Sequence, residues 1–488
     1  MYRVNKMFDT SGGIMIPRKI FSSVMSVFAF LAICSVSYAA ELFVDRNLSS
    51  NCTSGNYSIA NRNCSGRDGN GYTSIQSAVN ASTAGDTITV RGGVYQESVV
   101  ISKQGTASAY ITLRAYSGET VRLDGRNTVP YSWTGLLHLQ NCRYLKIEGV
   151  QFSYSKYMGF QAVNSHNVII ERCEAANNGH GGIVFSGGSN NIVRQCVSHH
   201  NNQGPNAGHE AISLEGVDTF EVVGCTVHDN REEGIDAKYG SKNGRIHHNK
   251  VYNNNGPNIY VDSSSNIEVY NNEVFGANKA GIGISVEYAW NANRDITHDL
   301  KIYNNIIYDN GLAFWFWIES GAESFAQFSD IFILNNVVHA NNRANWGGNG
   351  VYIDQGGGSG NYGSNLVVRN NIFWDNTAQS GSRTIADRSG ALGKFTVDYN
   401  LFKQGQPSAT YGTAAVMTTD VRFVDITARN YRLQSVSPAI NAGSSSLAPA
   451  FDFDDAPRSG AIDIGAYEYQ QQPTQGVPGA PGDLRIVQ

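Results

Sequence analysis

The sequence predicts an all-β chain that folds as a parallel β-helix, a solenoid of short stacked strands. The 488 residues include 52 Gly and 25 Tyr and only 16% are charged, a composition typical of strands joined by tight turns. A local sequence frame also recurs along the chain, and a repeat at a near-constant period indicates stacked units rather than the roughly three separate domains that length alone suggests.

The repeat can be counted from Val150 onwards. Its basic period is 23 residues, with longer coils that carry inserted loops, which fits about three short strands per turn of a parallel β-helix. We expect the aligned side chains to form one buried column, in which cysteines pack as small apolar groups and asparagines hydrogen-bond to one another. The positions are Val150, Cys173, Cys196, Cys225, Asn249, Asn272, Asn305, Asn336, Asn371 and Asn400.

The two ends of the chain depart from this pattern. Residues 1–39 hold Arg18 and Lys19 before an apolar run, the pattern of a secretory signal peptide, with a membrane anchor as the alternative. Residues 40–430 form the predicted β-helix, and a short helix within Thr73–Ser82 could cap its open end. Residues 431–470 form a C-terminal capping segment, and the Pro- and Gly-rich residues 471–488 a disordered tail.

A signal peptide predicts a secreted protein, extracellular or periplasmic, without membrane association after cleavage. Cys52 and Cys64 lie in one loop of such a chain and are expected to form a disulfide, whereas Cys142 has no assigned role. Loss of residues 1–39 removes four of 36 basic and one of 41 acidic residues, which changes the net charge from −5 to −8. Nucleic acid is therefore not the expected partner.

The stretch Arg231–Asn249 carries the densest charge in the repeat. Neighbouring coils align on Ile212, Ile235 and Ile259, and alternate side chains of a strand face opposite ways, in strands stacked about 4.8 Å apart. A lysine is therefore expected among carboxylates. The two predicted outward rows are Ser213–Asp236–Tyr260 and Glu215–Lys238–Asp262.

Carboxylates from two adjacent coils could converge on one hard cation, and Ca²⁺ is the predicted cofactor. Its expected ligands are Glu210, Glu232, Glu233 and Asp236. A solvated acidic edge is the alternative. Lys238 beside such a site is a candidate general base, since a base has to lie within hydrogen-bond reach of the proton that it removes; alternatively it only relieves repulsion in a charged ladder.

The run EEGIDAK followed by YGSKN resembles the secreted β-helix lyases of the chondroitinase B and alginate lyase family. In that family a metal-binding glutamate precedes the lysine base by five residues, as Glu233 precedes Lys238. The resemblance implies a right-handed parallel β-helix with N-terminal and C-terminal caps. That family also places an arginine acid on the next coil, where this chain has Asp262.

The same run is similar to the Asp-Asp-Gly-x-Asp motif of family nine pectate lyases. This second resemblance implies Glu232, Glu233 and Asp236 as metal ligands, with Glu210 from the preceding coil, and places the lysine base at Tyr260. The two resemblances agree on the metal and disagree on the base, so Lys238 and Tyr260 are both candidate catalytic residues.

Histidines supply the remaining candidates. His180 and His209 align one coil apart and could donate to substrate or protonate a leaving oxygen. We therefore add His209 to the catalytic candidates, and His180, Glu215 and Asp262 to the substrate-binding ones.

Together these features predict a secreted, monomeric polysaccharide lyase that cleaves an acidic, uronate-containing polysaccharide by Ca²⁺-assisted β-elimination. A glycoside hydrolase of the same fold, with two of the carboxylates as its acid and base, is the first alternative. A uronan epimerase and a non-catalytic carbohydrate-binding surface protein are the others, because a fold alone does not determine function.

Overall fold

The computed structural model describes residues 39–470 except 206–207, 290, 344–348, 355 and 378–380. The predicted tail (471–488) and all of the predicted signal peptide before residue 39 lie outside the described residues. No helix in the described part of the chain is long and apolar enough to cross a membrane.

The described chain is almost entirely β-strand. It contains one α-helix, two 3₁₀ helices (Ser359–Asn361 and Leu392–Lys394) and many short strands. In chain order the main elements are β1 (Glu41–Val44), β2 (Asn70–Tyr72), α1 (Ile75–Ala81), β3 (Thr87–Val90), β4 (Gly93–Tyr95), β5 (Val99–Ile101), β6 (Ile111–Ala115), β7 (Val121–Asp124), β8 (Gly135–Gln140), β9 (Arg143–Glu148), β10 (Val150–Ser153), β11 (Met158–Glu171), β12 (Glu174–Ala176), β13 (Ile183–Arg194), β14 (Val197–His199), β15 (Ile212–Glu215), β16 (Asp218–Val223), β17 (Thr226–His228), β18 (Ile235–Lys238), β19 (Lys242–His247), β20 (Lys250–Tyr252), β21 (Ile259–Asp262), β22 (Ser265–Tyr270), β23 (Glu273–Phe275), β24 (Ala280–Val286), β25 (Thr297–Tyr303), β26 (Ile306–Tyr308), β27 (Leu312–Ile318), β28 (Phe328–Leu334), β29 (Val337–His339), β30 (Val351–Ile353), β31 (Leu366–Arg369), β32 (Ile372–Trp374), β33 (Ile385–Asp387), β34 (Phe395–Asp398), β35 (Leu401–Lys403), β36 (Val416–Thr418), β37 (Phe423–Asp425) and β38 (Asn430–Leu433).

These strands stack into the predicted solenoid. A 23-stranded sheet supplies two strands to a typical coil and a 13-stranded sheet supplies the third, and the pairs within both sheets are parallel. The register agrees with the alignment made from sequence: Ile212 pairs with Ile235, Ser213 with Asp236, and Glu215 with Lys238. On the next coil Asp236 pairs with Tyr260. The first outward row and the Glu215–Lys238 pair of the second are therefore confirmed.

The predicted buried column is also present. Val150, Cys173, Cys196 and Cys225 are all buried, and the backbone N–H of Cys225 donates to Asn249 Oδ1 at 2.9 Å. From there each asparagine amide donates to the next one at 2.9–3.0 Å. This first column runs through Asn249, Asn272, Asn305, Asn336, Asn371 and Asn400.

A second buried asparagine column was not predicted. It joins successive amides at 2.8–3.1 Å at another corner of the coil. Its members are Asn178, Asn201, Asn230, Asn254, Asn258, Asn310, Asn341 and Asn376. Two such columns fix the register of neighbouring coils at two corners.

The N-terminal cap has the predicted form. Helix α1 begins after Ser74, whose hydroxyl accepts a hydrogen bond from the N–H of Ser77, and the helix buries Ile75, Ala78 and Val79. Cys52 and Cys64 form the expected disulfide. Cys142 is buried in the core with its thiol 3.0 Å from the carbonyl oxygen of Ile101, so its place in the molecule is that of a small core residue.

The C-terminal segment was expected to cap the last coil, but it lies along several coils. Parallel stacking ends at β36, and β37 and β38 form an antiparallel hairpin in which the predicted boundary at residues 430–431 falls. Tyr431 and Ile464 pack in a second apolar cluster with side chains of β26, β29 and β32. Asn304 and Asn335 donate to backbone carbonyls of this segment. The C-terminal segment therefore covers one side of the β-helix.

Replacing Asn272 with Ala is expected to destabilise the fold by about 2 kcal/mol or more. The change leaves the carbonyl of Ile246 and the backbone N–H of Asn249 buried without their partners. Urea and thermal unfolding measure the effect. Asn278→Ala is the matched control, because Asn278 makes a similar amide hydrogen bond to Asn255 on the surface. An equal loss in both variants would contradict the role of the buried column.

Candidate functional site

A pocket of about 630 Å³ lies over the outward face of β15 and β18. Its walls come from the residues just before β15, from the ends of both strands and from the loop that precedes β8. The lining residues are Trp133, Gly208, His209, Glu210, Glu215, Lys238 and Tyr239. Candidates from the sequence therefore meet in one place, next to a tryptophan that the sequence did not single out.

Lys238 lies at the centre of this charge cluster. Its Nζ is 2.7 Å from Glu210 Oε1 and 3.7 Å from both Glu215 Oε1 and Asp236 Oδ2. Burial alone would lower the pKa of Lys238, but the charges of Glu210, Asp236 and Glu215 raise it well above its ordinary value. The side chain faces away from the core as predicted, yet it is only 6% exposed, because the pocket walls cover it.

Two carboxylates hold the cations of the pocket. Glu210 accepts from Lys238 at 2.7 Å and from Ser213 Oγ at 2.5 Å; burial would raise its pKa, but the charges of Lys238 and His209 lower it. Glu215 Oε1 lies 2.8 Å from His209 Nδ1. Burial also opposes ionisation of Glu215, but the hydrogen bond and charge of His209, with Lys238, lower its pKa to about 2. Both are therefore ionised.

The other predicted metal ligands are less well compensated, although Asp236 Oδ2 lies 3.7 Å from Lys238 Nζ. Burial and the charges of Glu210 and Glu232 raise the pKa of Glu233 to about 8, and burial with the charge of Glu210 raises the pKa values of Glu232 and Asp236. No three of these predicted ligands bring one oxygen each within 4.8 Å of one another. The carboxylates therefore lie in one region, but their oxygens do not converge on a single point.

Two buried carboxylate oxygens in this region bear on whether a cation would fit here. Asp236 Oδ1 and Asp262 Oδ2 are buried and have no hydrogen-bond partner among the described residues. Burial and the charge of Glu287 raise the pKa of Asp262 as well. Buried carboxylate oxygens without partners are costly, and oxygen donors of this kind are those that Ca²⁺ prefers. The donor chemistry therefore suits the predicted ion.

Tyr260, the second candidate base, occupies the row that the alignment predicted but does not line the pocket. Its side chain is 4% exposed and its hydroxyl donates to Glu287 Oε1 at 2.9 Å. Burial and the charge of Glu287 raise its pKa well above the ordinary value. Asp262, beside it, accepts from the backbone N–H of Glu287 and from Ser263 Oγ. Of the two candidate bases, Lys238 therefore lines the pocket and Tyr260 does not.

The aromatic wall of the pocket comes from Trp133. Its ring lies 4.3 Å from His180 and 4.9 Å from Tyr157 between centroids, and 6.1 Å from His209. His180 Nδ1 accepts the backbone N–H of Gly208, and burial lowers the pKa of His180. Trp133 is 50% exposed. The only sequence signal for it is its place in the turn-rich insertion between β7 and β8.

The fold and pocket thus define a right-handed parallel β-helix with a charged, partly aromatic site on one face. Residues 57–263 match the family model "Pel9A-like, right handed beta helix region", and residues 201–361 match "Right handed beta helix region". The first match contains every residue that lines the pocket. It confirms the resemblance to family nine pectate lyases.

Pectate lyase PEL9 of Emericella nidulans is 32% identical to this chain over 183 residues, which cover 34% of this chain and 44% of the relative. The chain therefore spans less than half the length of the curated relative that it matches. Two solved structures share the fold. Pectate lyase Pel9A has a TM-score of 0.52 at 14% identity, covering 89% of this chain and 97% of its own. XylC with xylose has a TM-score of 0.50 at 11% identity, covering 89% and 99%.

Proposed function

We propose that the protein is a secreted lyase that cleaves a uronate-containing polysaccharide by β-elimination. The observation that carries this proposal is the position of Lys238, which lies in a pocket among carboxylates within the region that matches the Pel9A-like model. The similarity to a pectate lyase makes pectate the first substrate to test. The Cys52–Cys64 disulfide supports secretion, because disulfides persist in oxidising compartments.

The chemistry requires a base and an acid on one sugar unit. The base removes the proton from the carbon next to the uronate carboxyl group, a carbon–carbon double bond forms, and the glycosidic oxygen on the adjacent carbon leaves and takes up a proton. Lys238 is the proposed base; to act so it has to lose its proton, which requires bound Ca²⁺ to offset the charges of Glu210, Asp236 and Glu215 that raise its pKa. His209, whose Nδ1 lies 2.8 Å from Glu215 Oε1, is the proposed donor through Nε2.

Ca²⁺ is the proposed cofactor, held by Glu232, Glu233 and Asp236. Glu210, the fourth predicted ligand, is instead engaged by Lys238 and Ser213. When bound, the ion would neutralise the substrate carboxylate and so lower the energy of the carbanion-like state. The surplus of carboxylates supports this proposal, since without a cation the site would repel an acidic polymer.

Lys238→Arg is expected to lower the turnover of pectate by about 10² to 10⁴, the usual contribution of a positioned base. Arginine keeps the charge beside Glu210 but does not release its proton, so the fold and the ion pair are retained. The ultraviolet absorbance of the unsaturated product measures turnover, and hydrolysis or epimerisation would give none. A panel of other acidic polysaccharides extends the test if pectate is not cleaved.

Tyr260→Phe is the companion variant, because it removes the hydroxyl that the pectate lyase resemblance places at the base position. It is expected to keep near-normal turnover. If Tyr260→Phe loses turnover and Lys238→Arg does not, the base lies in the Tyr260 column. If chain scission occurs without new absorbance, the enzyme is a hydrolase.

Calorimetric titration of Ca²⁺ into chelator-treated protein is expected to show binding that Glu233→Gln and Asp236→Asn each weaken strongly. Each change removes one anionic oxygen ligand, and Ca²⁺ affinity follows the number of ligand charges. Asp218→Asn is the matched control, since Asp218 is a carboxylate on β16, the strand after β15, and its side chain is 45% exposed. Equal binding by wild type and both site variants would place the ion elsewhere.

Trp133→Ala is expected to raise KM for the polysaccharide with a smaller effect on kcat. A half-exposed indole above the pocket offers a face on which a sugar ring can stack, and it lies beside the reacting groups without being one of them. Steady-state kinetics test this. Tyr131→Ala is the control, because Tyr131 lies in the same loop, is 85% exposed and does not line the pocket. Equal effects of both changes would argue for a loop effect.

A further inference from the structure

A second group of ligand-type side chains lies outside the pocket, at the turns that follow β14 and β17. His200, His228 and Asp229 offer one ligand atom each, and these three atoms all lie within 4.8 Å of one another. Two neighbouring coils contribute them, since His199 pairs with His228 in the parallel register. The proposed lyase chemistry uses none of the three.

The ring of His228 is held in a fixed plane. It stacks between His199, with ring centroids 4.9 Å apart, and Tyr252, at 4.8 Å, and both interplanar angles are 4° or less. Its Nδ1 lies 2.7 Å from Asp229 Oδ2. An imidazole and a carboxylate are thus already adjacent, and the stack limits the rotation that would separate them.

His200 completes the group from the coil before. Its backbone and that of Asp229 are both left-handed, with φ of 52° and 54°, so the two residues occupy equivalent positions of stacked turns. His200 is exposed, and its Nδ1 lies 2.8 Å from His199 Nδ1. In a tetrahedral site with Zn–N of about 2.0–2.1 Å, ligand atoms are about 3.3 Å apart, so a side-chain rotation of the exposed His200 brings the three atoms together.

We propose that His200, His228 and Asp229 bind a divalent transition-metal ion of the Zn²⁺ type, which ties two adjacent coils together. Two imidazole nitrogens and one carboxylate oxygen suit such an ion, whereas Ca²⁺ takes oxygen ligands. The site therefore differs in chemistry from the acidic cluster of the pocket. Partial exposure leaves room for water in the remaining coordination position.

The His–His dipeptide of residues 199–200 occurs again at His247 and His248, where its contacts are different. The two Nδ1 atoms are again 2.8 Å apart. Here, however, His247 Nε2 lies 3.1 Å from Glu221 and His248 Nε2 lies 2.9 Å from Asp455 of the C-terminal segment. This pair therefore joins strands to the terminal segment, and it supplies a matched control within the same chain.

The test uses the untagged full-length protein with Ca²⁺ in excess, so that the acidic cluster does not compete for the added metal. Calorimetric titration with Zn²⁺ is expected to show one equivalent bound by wild type. His228→Gln and His200→Gln should each weaken Zn²⁺ binding at least tenfold. Even residues that only hydrogen-bond to a metal ligand contribute about 10–100-fold to metal affinity, and these two are proposed ligands. His247→Gln should bind as wild type does.

Thermal unfolding gives a second readout, because an ion that binds only the folded state stabilises it. Zn²⁺ should raise the Tm of wild type and of His247→Gln, and should leave that of His228→Gln unchanged. Absence of Zn²⁺ binding to wild type would overturn the proposal. So would equal binding by wild type and His228→Gln, or an equal loss in His228→Gln and His247→Gln.

Discussion

The register between neighbouring coils is the constraint on which the rest of the molecule depends. In a parallel strand a slip of one residue exchanges the two faces, and here it would turn Asp236 and Lys238 into the core and Ala237 out of it. The two buried asparagine columns oppose such a slip. Each amide donates to and accepts from the adjacent coils, so a shifted coil would leave several buried polar groups without partners.

Register was also the part of the structure that the sequence predicted best. The period of 23 residues repeats locally, so aligning Ile212, Ile235 and Ile259 was sufficient to place Asp236 beside Tyr260. The second asparagine column was not predicted, because its residues lie in turns where asparagine is common and its spacing is broken by Asn258, which lies four residues after Asn254 and 52 before Asn310. The repeat could not identify Trp133 as a pocket residue. This tryptophan reaches the pocket from an insertion far earlier in the chain, and insertions have no place in a periodic pattern.

Burial was the other property that periodicity could not predict. Alternation along β18 correctly places Lys238 on the outward face, but whether that face meets solvent depends on residues from outside the strand. Trp133, His209 and Tyr239 cover it. This cover strengthens the interactions between the charged side chains beneath it, because charges attract and repel more strongly away from water. The pKa shifts of Glu215 and Lys238 therefore follow from the pocket walls as much as from the charge pattern of the strands.

The opposite pKa shifts of Glu215 and Glu233 explain how a lysine and an ion can serve one site. Glu210 and Glu215 are paired with Lys238 and His209 and stay ionised. For Glu233 and Asp236, burial and repulsion outweigh the attraction of Lys238 and favour their neutral forms unless a further positive charge arrives. A rigid scaffold prevents these carboxylates from moving into solvent to relieve that repulsion. The fold thus maintains a local deficit of positive charge, which the proposed divalent cation would correct.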